Sequence, residues 1–307
     1  MRYLSFRDSA GRTRVGVSGA SGVHGRQIRD LTDLLPAGDG SPMRRLIAVA
    51  GSGTDLDALA VGAPLVDAAS VTVLPVVPDP SKVVAAPVNY RNHQAEMNEA
   101  SHIDSLGVFL KAPSSVLGDG GVVRLPYTDR RFDQEGEFAA VIGRPARDVP
   151  EDKALDYVFG YTCLLDMTMR GGEDRSVRKS FDTFTPLGPT IVDRHDVPPI
   201  DELELRLWVN GALRQRADLK DLIWNVGKLI SYVSSVMTLH PGDIVTTGTP
   251  EGVGAVHHGD RIEVEVTGLD RLTVSVSSQG AGLCPTRGAG QGPKPPAGLT
   301  PVSERAK

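Results

Sequence analysis

The chain has 307 residues, of which 40% are hydrophobic and 23% are charged, as in ordinary globular proteins. Its formal net charge of −5 argues against a nucleic-acid partner, because such a partner requires a basic surface. No segment approaches the roughly 20 consecutive apolar residues of a membrane-spanning helix, so we expect no membrane partner.

The beginning of the chain and its cysteines indicate a cytoplasmic protein. The first residues, MRYLSFRDSAGR, lack the apolar core of a secretory signal peptide. The two cysteines, Cys163 and Cys284, are too few for a disulfide framework. Cys163 lies in an apolar run and is predicted to be a small core residue. We therefore predict a protein of the reducing cytoplasm.

Residues 1–80 are predicted to form a small N-terminal domain that is rich in β-structure. Turns containing Gly and Asp separate three short segments, LSFRD, RTRVGVS and RQIRDLTDLL. The segments MRRLIAVAGSG and TDLDALAVG are more typical of helices. The Pro-rich stretch that follows leads into a second, larger domain.

The segment GASGVHG has the glycine spacing of a dinucleotide-binding loop, at Gly19, Gly22 and Gly25. Such a loop functions between a buried strand and a helix, with an acidic residue about 20 positions further on. Here the preceding segment is short and polar, and the following one ends quickly at Pro and Gly. We interpret GASGVHG as a turn, and an NAD-dependent reductase is our third hypothesis.

Residues 81–278 are predicted to form the main domain. Turn signals separate short apolar runs that are typical of strands, namely GVFLKA, VVRLP, FAAVIG, VFGYTCLLD, TIVDR, LELRLWVNG, DIVTTGT, RIEVEVTGL and RLTVSVSS. Helical segments are fewer: NHQAEMNEA, EDKALDYVF and DLIWNVGKLISYVSSVM. This pattern predicts a mainly β fold with some α-helix (α+β), built on a large mixed or mainly antiparallel sheet. Residues 279–307 are rich in Gly and Pro and are predicted to be a disordered tail.

Three acidic side chains are expected to meet inside this domain. Glu135 and Glu137 are two residues apart in FDQEGEFAAVIG, so in a strand they point to the same face. If VFGYTCLL is the neighbouring strand, Asp166 at its end reaches the same point. Three carboxylates do not lie close together without a cation, and an all-oxygen set suits Mg²⁺ or Mn²⁺. The alternative interpretation is a solvated acidic strand edge.

His93 and Glu96 are three residues apart in NHQAEMNEA and therefore share one face of the expected helix. A histidine that is paired with a carboxylate is held in one tautomer and can accept a proton from water. The alternative is an ordinary polar pair on an exposed helix face.

Seven motifs, in this order, resemble those of the fumarylacetoacetate hydrolase family: NYRNHQAE, GVFLKAPSSVLG, FDQEGEFAAVIG, DYVFGYTCLLDMTMR, KSFDTFTPLGP, LRLWVNG and LISYVSSVMTLHPGDIVTTGTPEGVG. The resemblance covers roughly residues 81–270. It implies a rolled β-sheet core after a small N-terminal domain, one Mg²⁺, Mn²⁺ or Ca²⁺ ion, and a homodimer. Members of the family hydrolyse acylpyruvates, decarboxylate oxaloacetate or isomerise hydroxymuconate-type acids.

The resemblance also implies roles for individual residues. It places the metal ligands at Glu135, Glu137 and Asp166. It places catalytic residues at His93, Glu96 and Lys179, and a substrate-binding residue at Arg170. Weaker candidates for substrate binding are Tyr90, Ser114 and Thr249, the last in a Gly-rich turn whose backbone N–H groups could approach a substrate oxygen. Lys111 is expected to position its loop.

Two departures from the family pattern matter for these roles. Upstream of the histidine the chain offers only Asn89 and Asn92 where larger members have an acidic ligand, so we expect three protein ligands. Glu173 stands where many members have glutamine. An extra carboxylate in the pocket would disfavour a doubly anionic substrate, unless Arg175 or Arg178 neutralises it.

We therefore predict a metal-dependent enzyme that cleaves a C–C bond of a 2-oxo or β-diketo acid through a metal-bound enolate. The chemistry expected first is hydrolysis of an acylpyruvate type, then decarboxylation, with isomerisation of a hydroxymuconate-type acid as the alternative. The expected partner is a small oxo acid. A hypothesis of another class is a catalytically silent family member that serves as a scaffold or binding subunit.

Overall fold

A computed structural model describes residues 1–19 and 27–298. The glycine loop considered for dinucleotide binding therefore lies, apart from Gly19, outside the described residues. In the described part of the first 80 residues, the strands are β1 Arg2–Arg7, β2 Thr13–Ser18, β3 Gln27–Asp30, β4 Leu65–Asp67 and β5 Thr72–Val73. The helices there are α1 Pro42–Gly51 and α2 Leu56–Val61, as the sequence predicted.

The described residues after position 80 contain the remaining elements. The strands are β6 Val83–Ala85, β7 Phe109–Lys111, β8 Val116–Leu117, β9 Val122–Arg124, β10 Phe132–Gln134, β11 Gly136–Ile142, β12 Val158–Leu165, β13 Thr168–Met169, β14 Thr185–Asp193, β15 Glu204–Val209, β16 Ala212–Asp218, β17 Ile244–Thr246, β18 Gly254–Ala255, β19 Arg261–Val266 and β20 Leu272–Ser277. The helices are α3 Arg91–Glu96, α4 Ile103–Leu106, α5 Arg175–Arg178 and α6 Val226–Val236. The predicted mainly β fold with some helix is confirmed.

Three sheets organise these strands. The largest follows the order β4-β3-β2-β1-β14-β12-β11-β17-β6-β7, with β5 beside β1 and β8 beside β14. A small sheet has the order β13-β10-β18, and a third has the order β16-β15-β19-β20-β9. Strands β11 and β12 are central and buried along their whole length, which explains their continuous apolar sequences.

The N-terminal strands continue the main sheet. Strand β1 pairs antiparallel with β14, and Tyr3 lies opposite Ile191 in that register. The division of the chain at residue 80 therefore stays a prediction, because one sheet runs through both parts.

A glycine lets two sheets approach each other beside the acidic residues. A Cβ atom at Gly136 would lie 2.9 Å from Cδ1 of Leu207 in β15, closer than two carbon atoms can pack. The same glycine separates Glu135 from Glu137. Close packing at this point fixes the backbone from which both glutamates project.

Residues 279–298 differ from the disordered tail that the composition predicted. They form no helix or strand, but Gly282 forms a β-bridge with Tyr127, and Arg131 donates a hydrogen bond to the carbonyl of Pro296 at 2.8 Å. A Gly- and Pro-rich composition shows only that the segment cannot form a hydrophobic core by itself. It does not show hydrogen bonds to the body of the protein. Among the described residues, no helix combines the length and hydrophobicity needed to cross a membrane.

Candidate metal and catalytic site

The antiparallel pair β11–β12 brings the three acidic residues together. Gly136 lies opposite Leu165, so Glu135 and Glu137 flank one end of the pair and Asp166 follows at the same end. The backbone N–H of Asp166 donates to the carbonyl of Glu135 at 2.8 Å. One carboxylate oxygen from each of the three side chains lies within 4.8 Å of the other two, and all three residues are buried. The solvated strand edge is thereby excluded.

Lys179 and Arg170 are two of the cations that contact this cluster. Nζ of Lys179 donates to Oε2 of Glu135 at 2.6 Å and also to Asp166. Arg170 donates to Oε1 of Glu135 at 2.8 Å and to Asp133 at 2.6 Å. The guanidinium predicted to bind substrate is therefore already engaged by two carboxylates. Its first effect is to hold Glu135 in place.

Lys111 is a site residue that the sequence reasoning missed. Its ammonium is completely buried and donates both to Asp166 and to the carbonyl of Phe184, the latter at 3.0 Å. We expected it to position a loop. The one available signal was a lysine at the end of an apolar strand segment, where a charge needs a buried partner. Asp133 was missed as well, although it continues the alternation of Glu135 and Glu137.

Burial and neighbouring charges act differently on the two glutamates. Burial opposes ionisation of Glu135, but the charges of Lys179 and Arg170 outweigh it and hold its pKa below the ordinary range. Burial, together with the negative charge of Asp166, raises the pKa of Glu137 to about 8. Burial also lowers the pKa of Lys111. The crowded carboxylate cluster thus combines one glutamate whose pKa is lowered with another whose pKa is raised.

Backbone N–H groups of the Gly-rich turn donate hydrogen bonds to carboxylates of the protein. The N–H of Gly248 donates to Oε2 of Glu137 at 3.0 Å, and the hydroxyl of Thr246 donates to the same oxygen. The N–H of Gly252 donates to Glu96 at 2.9 Å. The sequence predicts that such N–H groups face a substrate oxygen, whereas these two face protein carboxylates. They position a metal-ligand candidate and the partner of the candidate base.

His93 and Glu96 form the pair that their spacing predicted. Nδ1 of His93 lies 3.1 Å from Oε2 of Glu96, and both side chains are buried. Burial excludes the alternative of an exposed polar pair on a helix face. Because Nδ1 faces the carboxylate, Nε2 is the nitrogen left to accept a proton.

One pocket joins these groups. Its walls include His93, Glu135, Glu137, Arg170, Lys179 and Thr249 among the predicted site residues. Further lining residues are Phe109, Glu99, Arg175, Arg178 and Pro293. The hydroxyl of Thr249 donates to the carbonyl of Gly136 at 3.0 Å and accepts from Gln215, so its proton is already used.

Two weaker candidates lie elsewhere. Ser114 is exposed at the surface, in a 3-10 turn. Tyr90 is buried and lines a separate cavity with Arg91 and Asn92. The geometry does not bring either residue to the walls of the pocket that holds the acidic cluster. Both residues lie within motifs of the family resemblance, but a motif does not show which way a side chain points.

The two departures from the family pattern have structural explanations. Asn89 is buried, and its amide bonds the backbone of Trp224 and Thr247, so it serves as a structural link. Glu173 accepts from Arg130 at 3.0 Å and from the hydroxyl of Thr286. Its charge is therefore offset by the guanidinium of Arg130, and Glu173 is not among the residues that line the pocket. The objection to a doubly anionic substrate loses its basis.

The donor set fits a divalent ion. Within the described residues, the acidic cluster offers three carboxylate ligands, and these hard oxygen donors suit Mg²⁺ or Mn²⁺ equally. Such crowding of negative charge is compensated here by Lys111, Lys179 and Arg170, and a cation among the carboxylates would add to that compensation. The cluster thus supports a divalent metal without selecting one.

The comparison with known families decides the assignment of the chain. The family described as fumarylacetoacetate (FAA) hydrolase C-terminal matches residues 82–277. The chain belongs to this family. The predicted resemblance is thereby confirmed, and so is the prediction that the chain is an enzyme.

Three relatives of this fumarylacetoacetate hydrolase family protein are informative. A maleylpyruvate hydrolase of Aquipseudomonas alcaligenes is 44% identical over 234 residues, which are 73% of this chain and 82% of the relative. A mitochondrial oxaloacetate tautomerase of Arabidopsis thaliana is 42% identical over 204 residues, covering 64% of this chain and 91% of the relative.

The third relative is a solved structure. The maleylpyruvate hydrolase of Sphingobium sp. SYK-6, in complex with manganese(II) and pyruvate, is 37% identical and superimposes with a TM-score of 0.77. The match covers 91% of this chain and 99% of that one. The family match ends at residue 277, so the C-terminal segment lies beyond it.

Proposed function

We propose that this protein is a divalent-metal-dependent hydrolase that cleaves an acylpyruvate into pyruvate and a carboxylic acid. The observation that carries the proposal is one pocket whose walls include Glu135 and Glu137 of the acidic cluster and His93 of the buried His93–Glu96 pair. Two maleylpyruvate hydrolases among the relatives support it, one of them solved with manganese(II) and pyruvate. A scaffold would have no need of a buried base beside a metal-binding cluster.

Glu135, Glu137 and Asp166 would hold the ion. When bound, it would polarise the 2-oxo group of the substrate and stabilise the negative charge that develops as the C–C bond breaks. Lys179 and Arg170 fix both oxygens of Glu135, and Lys111 fixes Asp166 from the protein interior. These bonds keep the ligand oxygens pointing at one place.

His93 would act as the general base. In the tautomer in which Nδ1–H donates a hydrogen bond to Glu96, Nε2 would take a proton from a water molecule as that water attacks the distal carbonyl. The C–C bond then breaks, the acyl part leaves as a carboxylic acid, and a proton returns to the methylene carbon to complete pyruvate. Overall, one water is consumed and no other reactant is required.

The test is a metal-dependent assay of pyruvate release. Protein stripped of metal and reloaded with Mn²⁺ or Mg²⁺ should convert acetylpyruvate or maleylpyruvate to pyruvate, measured with a coupled dehydrogenase. Glu137→Gln should abolish Mn²⁺ binding and turnover together. Pyruvate release that persists in the metal-free protein, or in Glu137→Gln, would refute the proposed mechanism.

A second candidate is tautomerisation of a 2-oxo dicarboxylic acid, supported by the oxaloacetate tautomerase relative. This reaction moves a proton between carbon and oxygen and needs no attacking water. Monitoring the enol absorbance of oxaloacetate beside pyruvate release from acylpyruvates distinguishes the two. Rapid loss of the enol without any acylpyruvate cleavage would favour the tautomerase, and decarboxylation would be recognised by release of CO₂.

A further inference from the structure

Arg178 is a buried cation of the candidate pocket, and no ion pair joins it to an acidic side chain among the residues that the structure describes. The residue is only 3% exposed and lines the pocket wall. Its Nη1 atom is buried and has no hydrogen-bond partner in the described structure. A buried guanidinium that lacks its hydrogen bonds is costly, so the arrangement points to a ligand that supplies an acceptor.

The other cations of the pocket are already engaged. Arg170 is held by Asp133 and Glu135, and Lys179 by Glu135 and Asp166. Arg175 lies 3.9 Å from Glu99, which is a loose pair on the partly exposed side of the pocket. Among the described cations of the pocket, Arg178 therefore differs from Arg170, Lys179 and Arg175, because no carboxylate of the protein is paired with it.

Arg178 immediately precedes Lys179, whose ammonium contacts the acidic cluster. No ion pair joins Arg178 itself to that cluster within the described residues, although the charges of Glu135 and Asp166 act on it. Its place is thus beside the cluster, in the same pocket. An anion that it binds would therefore lie in the same pocket as an oxo acid held at the cluster.

We infer that Arg178 binds a second carboxylate, at the far end of the substrate, so that this enzyme selects 2-oxo acids carrying a distal carboxylate. The inference rests on the proposed function for the orientation of the oxo-acid end toward the cluster. The ion pair of Glu173 with Arg130 agrees with it, because the guanidinium offsets the charge of a carboxylate that would otherwise repel such a substrate. A guanidinium is suited to this role because its planar fork matches a carboxylate.

Binding of matched ligands tests the inference without turnover. The Mn²⁺-loaded full-length protein is titrated with 2-oxopentanoate and with 2-oxoglutarate, which have equal carbon number and differ in the distal carboxylate. Oxaloacetate analogues and 2-oxoadipate vary the distance. Wild-type protein should bind at least one dicarboxylate of the series tighter than its monocarboxylate match, and Arg178→Gln should weaken that ligand roughly 10- to 100-fold. The monocarboxylate should change less than about threefold.

Two variants complete the design. Arg178→Lys should restore part of the preference because it keeps the charge, whereas Arg175→Gln should have a smaller effect because Arg175 already faces Glu99. Equal loss for both ligand types in Arg178→Gln, or absence of any preference in the wild type, would overturn the inference. If dicarboxylates bind through Arg178 but no acylpyruvate is cleaved, the proposed function fails while this inference stands.

A second inference concerns the C-terminal segment, residues 279–298, which lies beyond the family match. Pro293 lines the candidate pocket. Arg130 donates to the carbonyl of Thr286 at 2.7 Å, and the N–H of Gly172 donates to the carbonyl of Gly288 at 3.0 Å. The first anchor attaches the segment to the stretch before β10, and the second attaches it to the loop that follows Arg170.

We propose that the C-terminal segment is a wall of the substrate pocket that limits the size of the acyl group. At Gly292 the segment packs directly against the loop that follows Arg170, because a Cβ there would lie 2.3 Å from the carbonyl oxygen of Gly171. Gly290 provides a matched control: its φ of +72° resembles the +75° of Gly292, but no atom of the described residues lies within 4 Å of a Cβ at that position. Valine therefore strains both backbones and displaces the segment only at Gly292.

Gly292→Val should increase the affinity of the Mn²⁺-loaded protein for branched 2-oxo acids, relative to linear ones, by about tenfold or more, while Gly290→Val should leave the ratio as in the wild type. Circular dichroism and Mn²⁺ titration check that both variants retain the fold and the cluster. Unchanged ratios in Gly292→Val, or equal changes in both variants, would overturn the proposal. The readout is binding, so it does not depend on the identity of the reaction.

Discussion

Glu96 links two elements, since its Oε2 lies 3.1 Å from Nδ1 of His93 and its Oε1 accepts the N–H of Gly252 at 2.9 Å. Gly252 occupies a left-handed conformation with φ +97°, and a Cβ there would lie 1.9 Å from the carbonyl of Arg214. Only glycine fits this turn. The turn that supports Glu137 thus also fixes the orientation of the candidate base, so the two parts of the site are built on one loop.

The first prediction follows from this link. His93→Gln should lower kcat for acylpyruvate cleavage by roughly 10²- to 10⁴-fold, the range expected for removal of a general base. Affinity for Mn²⁺, measured by calorimetry, should stay within about twofold, because His93 is not among the three metal-ligand candidates.

His102→Gln is the control for this experiment. His102 belongs to the same region of the chain but pairs with the exposed Asp104, away from the pocket lining. Its replacement should leave kcat unchanged. Comparable losses in both variants would show that the region, and not the imidazole of His93, is what matters.

The second prediction concerns the buried lysine. Lys111→Met should destabilise the metal-free protein by about 1–3 kcal/mol, because it removes one of the two ammonium groups that donate to the buried Asp166. Mn²⁺ should then raise the melting temperature of Lys111→Met more than that of the wild type, since the ion supplies the missing positive charge to Asp166. Thermal unfolding with and without Mn²⁺ measures both effects.

Lys82→Met is a matched control, because Lys82 also pairs with a buried aspartate, Asp243 at 2.8 Å, outside the pocket lining. This variant should lose stability without any additional response to Mn²⁺. If the metal response of the two variants is the same, Lys111 has no special connection to the cluster.

Much of the site was predictable because it depends on short-range regularities. Residues i and i+2 of a strand share a face, and residues i and i+3 of a helix are neighbours, so Glu135 with Glu137 and His93 with Glu96 could be paired from spacing. Asp166 needed one further assumption, that β12 lies beside β11, and the apolar sequences of both strands supported it.

What escaped prediction depends on long-range packing. Lys111 reaches Asp166 across 55 positions of sequence, and Arg130 reaches Thr286 across 156. Neither separation leaves a periodic signal in the sequence. The same limit explains why composition alone predicts a disordered tail over residues 279–307, of which the structure describes 279–298. Their partners are hydrogen-bonding groups of other segments, and no local pattern reveals these.

The third prediction is a pH dependence of metal binding. Burial and the charge of Asp166 raise the pKa of Glu137 to about 8, so below that pH the carboxyl keeps a proton that an incoming ion must displace. Apparent Mn²⁺ affinity should therefore rise with pH up to about 8, by as much as about tenfold per unit, and then level off. Calorimetry in buffers of different ionisation enthalpy counts the released proton.

Thr246→Val provides the internal check on this assignment. The hydroxyl of Thr246 donates to Glu137, a bond that lowers the pKa of the carboxyl. Its removal should shift the midpoint of the affinity profile to higher pH. A shift to lower pH, or a flat profile in the wild type, would contradict the role of Glu137.

The fourth prediction uses the two thiols as reporters of their surroundings. Cys163 is fully buried, and burial raises its pKa to about 12, so it should not react in the native protein. Burial has the same tendency at Cys284, but the Thr286 contacts and the charge of Arg130 outweigh it and lower its pKa. A lowered pKa increases the thiolate fraction at any pH below it, so Cys284 should react readily near pH 7.5. With a chromogenic disulfide reagent, one thiol per chain should react under native conditions and the second only after unfolding.

Two variants are the controls for this assignment. Cys284→Ser should remove the signal seen under native conditions, whereas Cys163→Ser should leave it intact. If two thiols react at similar rates in the folded protein, the environments described for both cysteines are contradicted.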